Sequence, residues 1–146
     1  MQPLLQLAAV LCAGLFSGGA LYIPVAEHPA RMSLGAAAAL QEFRASYKRA
    51  APMQAAFAVI CFLCSAALWW LTHRWGWIAG GSLVGAVVPF TLLIIMPTNR
   101  LLLNATSPPA ENDAKPLLRK WARLHAVRTC LSLLGFLVLL AQATAR

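Results

Sequence analysis

Met53-Gln-Ala-Ala-Phe-Ala-Val-Ile-Cys-Phe-Leu-Cys-Ser-Ala-Ala-Leu-Trp-Trp-Leu71 decides the fold, because it contains no Asp, Glu, Lys or Arg. Its length approaches the roughly 20 residues a helix needs to cross a hydrocarbon core. Three further runs at 4–22, 75–96 and 126–145 have the same character, and only the last holds a charge, Arg128. Across the 146-residue chain 60% of residues are hydrophobic and 11% charged, where a soluble domain carries about 25% charged. The expectation is an all-α membrane four-helix bundle forming one transmembrane domain over 1–146. The first run lacks the basic start of a signal peptide, exceeds the usual apolar stretch of roughly 7–15 residues, and is not followed after Tyr22 by a small-x-small cleavage site before Pro24 and Glu27, so it reads as a span.

Between the first two spans, Ser33 is a suitable N-cap, and the alanines with Leu40, Phe43 and Tyr47 predict an additional short interfacial helix over 33–50. Pro24 and Pro29 are expected to break the chain before it, and Pro52 to open the second span. Residues 104–115, with paired prolines and Glu111-Asn112-Asp113, read as a flexible loop. Pro89 should kink the third span.

Lys and Arg in short connections are retained in the cytoplasm. Arg31, Arg44, Lys48 and Arg49 follow the first span, and Arg100, Lys115, Arg119, Lys120 and Arg123 follow the third. The expected localisation is therefore the cell inner membrane, with both long connections cytoplasmic and both termini outside. Trp69, Trp70, Trp75 and Trp77 surround the opposite turn as an aromatic anchor, with His73 as a solvated turn residue. The net charge of +8 is mostly this topology signal, with membrane lipids as partners and no nucleic acid, since a basic soluble surface with exposed aromatics is absent. Gly14, Gly18 and Tyr22 recur at four-residue spacing. They read as a helix-packing face, with homo-oligomerisation or a flat-ligand groove with Tyr22 at its mouth as the functional alternatives.

Trp121, His125 and Arg128 fall at i, i+4 and i+7 on one helix face. An ionisable residue such as Arg128 inside a span either faces a polar interior with a partner or snorkels to the interface. Glu27, His28, Arg31, Arg44, Tyr47 and Asn99 are expected at the same end, and together they form an acid–base and anion-binding set. His28, His125 and Glu27 would also be a donor set for a metal, but no local motif such as H-E-x-x-H supports one. Cys61-Phe-Leu-Cys64 raises a thiol-redox alternative, against which stands the plain packing of buried cysteine. No phosphate-binding loop or nucleophile triad is present, which argues against nucleotide enzymes and hydrolases.

Gly14-Leu-Phe-Ser-Gly-Gly-Ala-Leu-Tyr22, Glu27-His-Pro-Ala-Arg31, Phe43-Arg-Ala-Ser-Tyr-Lys-Arg-Ala-Ala-Pro-Met-Gln54, Pro97-Thr-Asn99 and Trp121-Ala-Arg-Leu-His-Ala-Val-Arg128 together resemble the signature blocks of the anthrone oxygenase family, in order and nearly end to end. The resemblance implies a four-helix membrane protein, in some members oxidising an anthrone to an anthraquinone with molecular oxygen. The residues suit a cofactor-independent or metal-assisted oxygenase acting on a planar aromatic substrate at the cytoplasmic mouth. His28 or His125 would be the base, oriented by Glu27, and Arg128, Arg44 or Arg31 would hold the developing oxyanion. Tyr47 and Trp121 would stack on the rings, with Asn99 and Tyr22 completing the pocket. The alternative is a non-enzymatic lipid- or small-molecule-binding or assembly protein.

Overall fold

The computed structural model describes residues 1–104 and 111–145, and among these it contains helices and no strand. Its elements are α1 (Gln2–Tyr22), α2 (His28–Ser33), α3 (Ala36–Thr72), α4 (Trp75–Gly85), α5 (Val87–Phe90), α6 (Met96–Asn104) and α7 (Glu111–Thr144). π-helical segments at Ile23–Glu27 and Thr91–Ile95 join α1 to α2 and α5 to α6. The result is four apolar rods, Gln2–Ser33, Ala36–Thr72, Trp75–Asn104 and Ala114–Thr144, each long and apolar enough to cross a membrane. The chain is a multi-pass membrane protein of four helices. In the bundle α1 packs against α3 and α7, and α4 packs against the same two from the other side.

The prolines act differently from the expectation. Pro24 does not break the first rod. The helix widens, so that the N–H of His28 bonds the carbonyl of Ile23, five residues back, and the rod continues into α2. Pro52 does not separate two helices either. Residues 36–72 form one helix, so the stretch expected as a separate interfacial helix over 33–50 is largely the N-terminal half of α3. A proline inside a helix deprives the carbonyl four residues back of its donor. Here that is Lys48, an exposed residue near the rod's polar half, where water or headgroups supply a substitute. At 37 residues and about 1.5 Å per residue, α3 greatly exceeds the roughly 30 Å of hydrocarbon. Of the loop expected over 104–115, residues 105–110 lie outside the described residues, and α7 is already helical at Glu111.

Small residues set a close helix crossing, though at a place other than Gly14 and Gly18. A Cβ on Gly80 of α4 would sit 3.0 Å from the Gly135 carbonyl oxygen, and one on Gly135 of α7 would sit 2.8 Å from that of Gly80. The two backbones touch directly, the arrangement that small residues permit between membrane helices. Gly14 faces the Phe136 ring of the same chain, and a Cβ on Gly18 would meet nothing within 4 Å.

At the turn between α3 and α4, His73 caps α3 in the left-handed conformation (φ 53°). Trp70 and Trp75 are exposed as an anchor would be, while Trp77 is fully buried and belongs to the core beside Leu139 and Val84. Cys61 is also core, and all four cysteines are free.

Gly80→Val is expected to destabilise the bundle by about 1–3 kcal/mol through overpacking, read as a lower midpoint of thermal unfolding in detergent. Gly18→Ala should leave that midpoint unchanged. Equal midpoints for the two variants would refute the direct α4–α7 contact.

Candidate functional site

The polar side chains gather at the end of the bundle away from the tryptophan turn, in two layers. The outer layer is organised by Arg31, which α2 carries into the interior, where it is 1% exposed. Its guanidinium is ion-paired with Glu27, one turn earlier, and with Glu42 of α3. It also donates to Ser46 Oγ at 3.2 Å, and Ser46 in turn donates to Glu27 at 2.9 Å. The cation lies 5.3 Å from the centroid of the Phe43 ring and 5.6 Å from that of Trp121. A buried guanidinium is tolerable only with such compensation.

Asn99, fully buried on α6, joins three elements. Its amide nitrogen donates to the Tyr47 hydroxyl oxygen at 2.8 Å, and its amide oxygen accepts from Trp121 Nε1 at 2.9 Å. The Trp121 indole stacks on the His125 imidazole, with centroids 4.9 Å apart and planes 18° from parallel.

Deeper in, the position of His125 follows from Pro24. Proline has no N–H, so the Ala20 carbonyl, four residues earlier, loses its helical donor. His125 Nε2 lies 3.0 Å from that oxygen and the Thr129 hydroxyl donates to it at 3.1 Å, both from α7. A carbonyl only accepts, so Nε2 carries the proton and, in the neutral ring, Nδ1 is the basic nitrogen.

One turn further along α7, Arg128 donates to the Gln54 side-chain oxygen and sits 4.9 Å from the centroid of the Phe16 ring. Among the described residues no carboxylate lies within ion-pairing distance of it. Arg31 has two carboxylates, whereas Arg128 has one neutral amide.

Two spaces meet at Arg128. One is an apolar cavity of about 150 Å³ lined by Phe16, Tyr47, Ala51, Ala55, Val87, Val88, Thr91, Leu92, Met96 and Arg128. The other is a small chamber of about 20 Å³ whose walls include Glu27, Arg31, Tyr47, Gln54, His125 and Arg128. Tyr47, Ala51 and Arg128 form a wall shared by both. The cavity exists because Pro89 and the π-helical segment Thr91–Ile95 interrupt the regular course of the third rod: α4 packs extensively on α3, and α5 and α6 only sparsely.

The structure therefore brings together Glu27, Arg31, Tyr47, Asn99, Trp121, His125 and Arg128. His28 borders this group, 6.3 Å from Trp121 between ring centroids, and lines neither space. Arg44 ties α3 to α6 by donating to the Leu102 carbonyl at 2.9 Å and is not among the residues lining either space. Tyr22 is 60% exposed on the bundle's outer surface. As metal donors, His28, His125 and Glu27 do not converge: the Glu27 carboxylate is taken by Arg31 and Ser46, His125 Nε2 by Ala20, and no group of three such donors is found among the described residues. Gln54, Ser46, Glu42 and Phe16 were not singled out from the sequence. Only Gln54 carried a signal, as a polar side chain opening an otherwise apolar span.

Residues 43–138 match the family model described as anthrone oxygenase. The chain is 31% identical over 151 aligned positions to the anthrone oxygenase tpcL of Aspergillus fumigatus (strain Af293), covering 94% of this chain and 91% of that protein. It is 38% identical to an anthrone oxygenase of Claviceps purpurea (strain 20.1) over 66 positions, covering 40% of this chain and 38% of that one. No solved structure matches the chain. A shared helical plan could arise without common descent, but identity sustained along nearly the whole of two chains does not, and the chain belongs to the anthrone oxygenase family.

Proposed function

We propose that the protein oxidises a planar, phenol-bearing aromatic carbon acid of the anthrone type with molecular oxygen, binding it in the apolar cavity with an oxygen on Arg128. The observation that carries this reading is a buried cation, without a carboxylate partner among the described residues, on the wall of an apolar cavity. Such a group gains most from a ligand that develops negative charge on oxygen.

The chemistry suits the site. An anthrone CH2 lies between two rings and opposite a ketone, so its loss of a proton gives a delocalised anion with much of its charge on that oxygen. The anion is electron-rich enough to reduce oxygen directly. Overall, CH2 and O2 give C=O and H2O. Arg128 stabilises the oxyanion through a charge-assisted hydrogen bond, Phe16 and Met96 contact the rings, and His125 is the base. The family relatives, whose names describe anthrone oxygenases, support the substrate class.

At about 150 Å³ the cavity is below the roughly 300–1,000 Å³ usual for drug-sized ligands. Its rim includes Ala55 and Leu92, both exposed on apolar rods. A tricyclic substrate would insert its oxygenated edge and leave the other edge in hydrocarbon, having entered from the bilayer. The concentration of Lys and Arg beside this end supports a cytoplasmic position for it in the inner membrane, with both termini outside. Surrounding lipid is then both partner and substrate reservoir. Any homo-oligomer would use the open Gly18 surface of α1, since Gly14 is occupied by Phe136.

Arg128→Met is expected to lower turnover of 1,8-dihydroxyanthrone about 10²–10³-fold, followed by anthraquinone absorbance and oxygen uptake, while His28→Ala keeps most of the activity. Wild-type turnover by Arg128→Met would remove the assignment. Ala55→Leu, which narrows the rim, should raise KM about tenfold in units of mole fraction in the lipid, with kcat preserved. An unchanged KM would exclude entry from the bilayer between α3 and the third rod.

A further inference from the structure

His125 lines the chamber and not the substrate cavity, with the shared wall of Tyr47, Ala51 and Arg128 between them. Three residues around that chamber each keep one buried nitrogen without a hydrogen-bond partner among the described residues: Arg31 Nη1, Arg128 Nε and His125 Nδ1. The side chains themselves are deeply buried, Arg31 and His125 at 1% exposure and Arg128 at 9%. An unpaired buried polar group is costly, about 1–3 kcal/mol and more when charged, so three around one small space call for a common partner.

Their chemistry specifies that partner. Guanidinium nitrogens only donate, and His125 Nδ1 only accepts, because Nε2 already carries the ring proton toward Ala20. Two donors and one acceptor complement a water molecule, which accepts twice and donates. The chamber, at about 20 Å³, exceeds the roughly 10–15 Å³ that one water requires.

We propose that the chamber binds a single water bonded to Arg31 Nη1, Arg128 Nε and His125 Nδ1, and that this water relays the substrate proton from Tyr47 to His125. The relay rests on the oxygenase reading above, whereas the water site does not. Tyr47 is the hydroxyl-bearing residue that lines both spaces. Its oxygen accepts from Asn99 at 2.8 Å, which leaves its own proton to donate. In the step, the substrate C–H bond breaks and its proton goes to Tyr47 Oη. As Arg31 Nη1 gives up its bond to the water, the Tyr47 hydroxyl proton passes to the lone pair so freed, and a water proton passes to His125 Nδ1. The electron pair stays on the substrate and spreads to the oxygen at Arg128. Tyrosine and water end neutral, the imidazole ends protonated, and no oxidant is consumed.

Ala50 lines the chamber without lining the substrate cavity, so Ala50→Leu displaces the water and spares the substrate contacts. With 1,8-dihydroxyanthrone the expected result is a kcat loss of roughly 10²-fold at unchanged KM, together with loss of the solvent deuterium isotope effect of the wild type. Tyr47→Phe, which keeps the ring, should do the same. Wild-type kcat and isotope effect in either folded variant overturn the relay. An experimental map of the wild-type protein that resolves ordered waters should have a peak within hydrogen-bonding distance of all three nitrogens. A chamber without that peak overturns the water site even in an active protein. The peak in a protein inert toward the anthrone confirms the water site and overturns the relay together with the oxygenase reading.

Discussion

Inside a bundle surrounded by hydrocarbon, a backbone carbonyl deprived of its helical donor must find another within the protein. Pro24 creates that demand at Ala20, and α7 meets it with His125 and Thr129. One missing N–H thus accounts for several features at once. It fixes which nitrogen of His125 holds the proton and sets the depth at which α7 docks on α1. Through the stacked Trp121 it also orients the indole that reaches Asn99 and, beyond it, Tyr47. Pro89 shapes the bundle in a second way, by interrupting the third rod where it would otherwise pack on α3 and leaving the apolar cavity between them.

Charge compensation divides the polar end into two parts. Arg31, ion-paired with Glu27 and Glu42 and held by Ser46 and two aromatic rings, is neutralised and ties α2 to α3. Arg128 is held by one amide and one ring, with no carboxylate in ion-pairing distance among the described residues, and so keeps electrostatic attraction to offer. The same residue type therefore does two jobs a few ångströms apart, and the difference lies in the partners. An arginine already neutralised has little to offer a developing oxyanion, while one buried beside a neutral amide has a good deal.

Much of this organisation was legible in the chain. The four rods follow from length and the absence of charge, and Arg128 stood out because a charge within a span is rarely idle. The i, i+4, i+7 spacing correctly put Trp121, His125 and Arg128 on one face, and all three reach the site. Pro24 and Pro29 read as breaks and Pro52 as a helix start, because sequence rules count the hydrogen bond each proline removes without seeing what replaces the donor; in the bundle Pro24 and Pro52 both lie inside continuous rods. Arg44 and His28 lie at the right end of the bundle, yet a long side chain's choice among nearby partners is made by packing. Arg44 went to the Leu102 carbonyl.

The sequence by itself determined that the protein is a four-helix membrane bundle with its ionisable groups at one end, because hydrophobic length and charge placement act on each segment separately. The tertiary structure alone decided which arginine is neutralised, which imidazole nitrogen is basic, and where the cavity opens. It also decided that α4 and α7 touch through Gly80 and Gly135, while a Cβ on Gly18 would meet no described atom within 4 Å. These depend on the distance between atoms far apart in the chain, and local propensity carries no information about that distance.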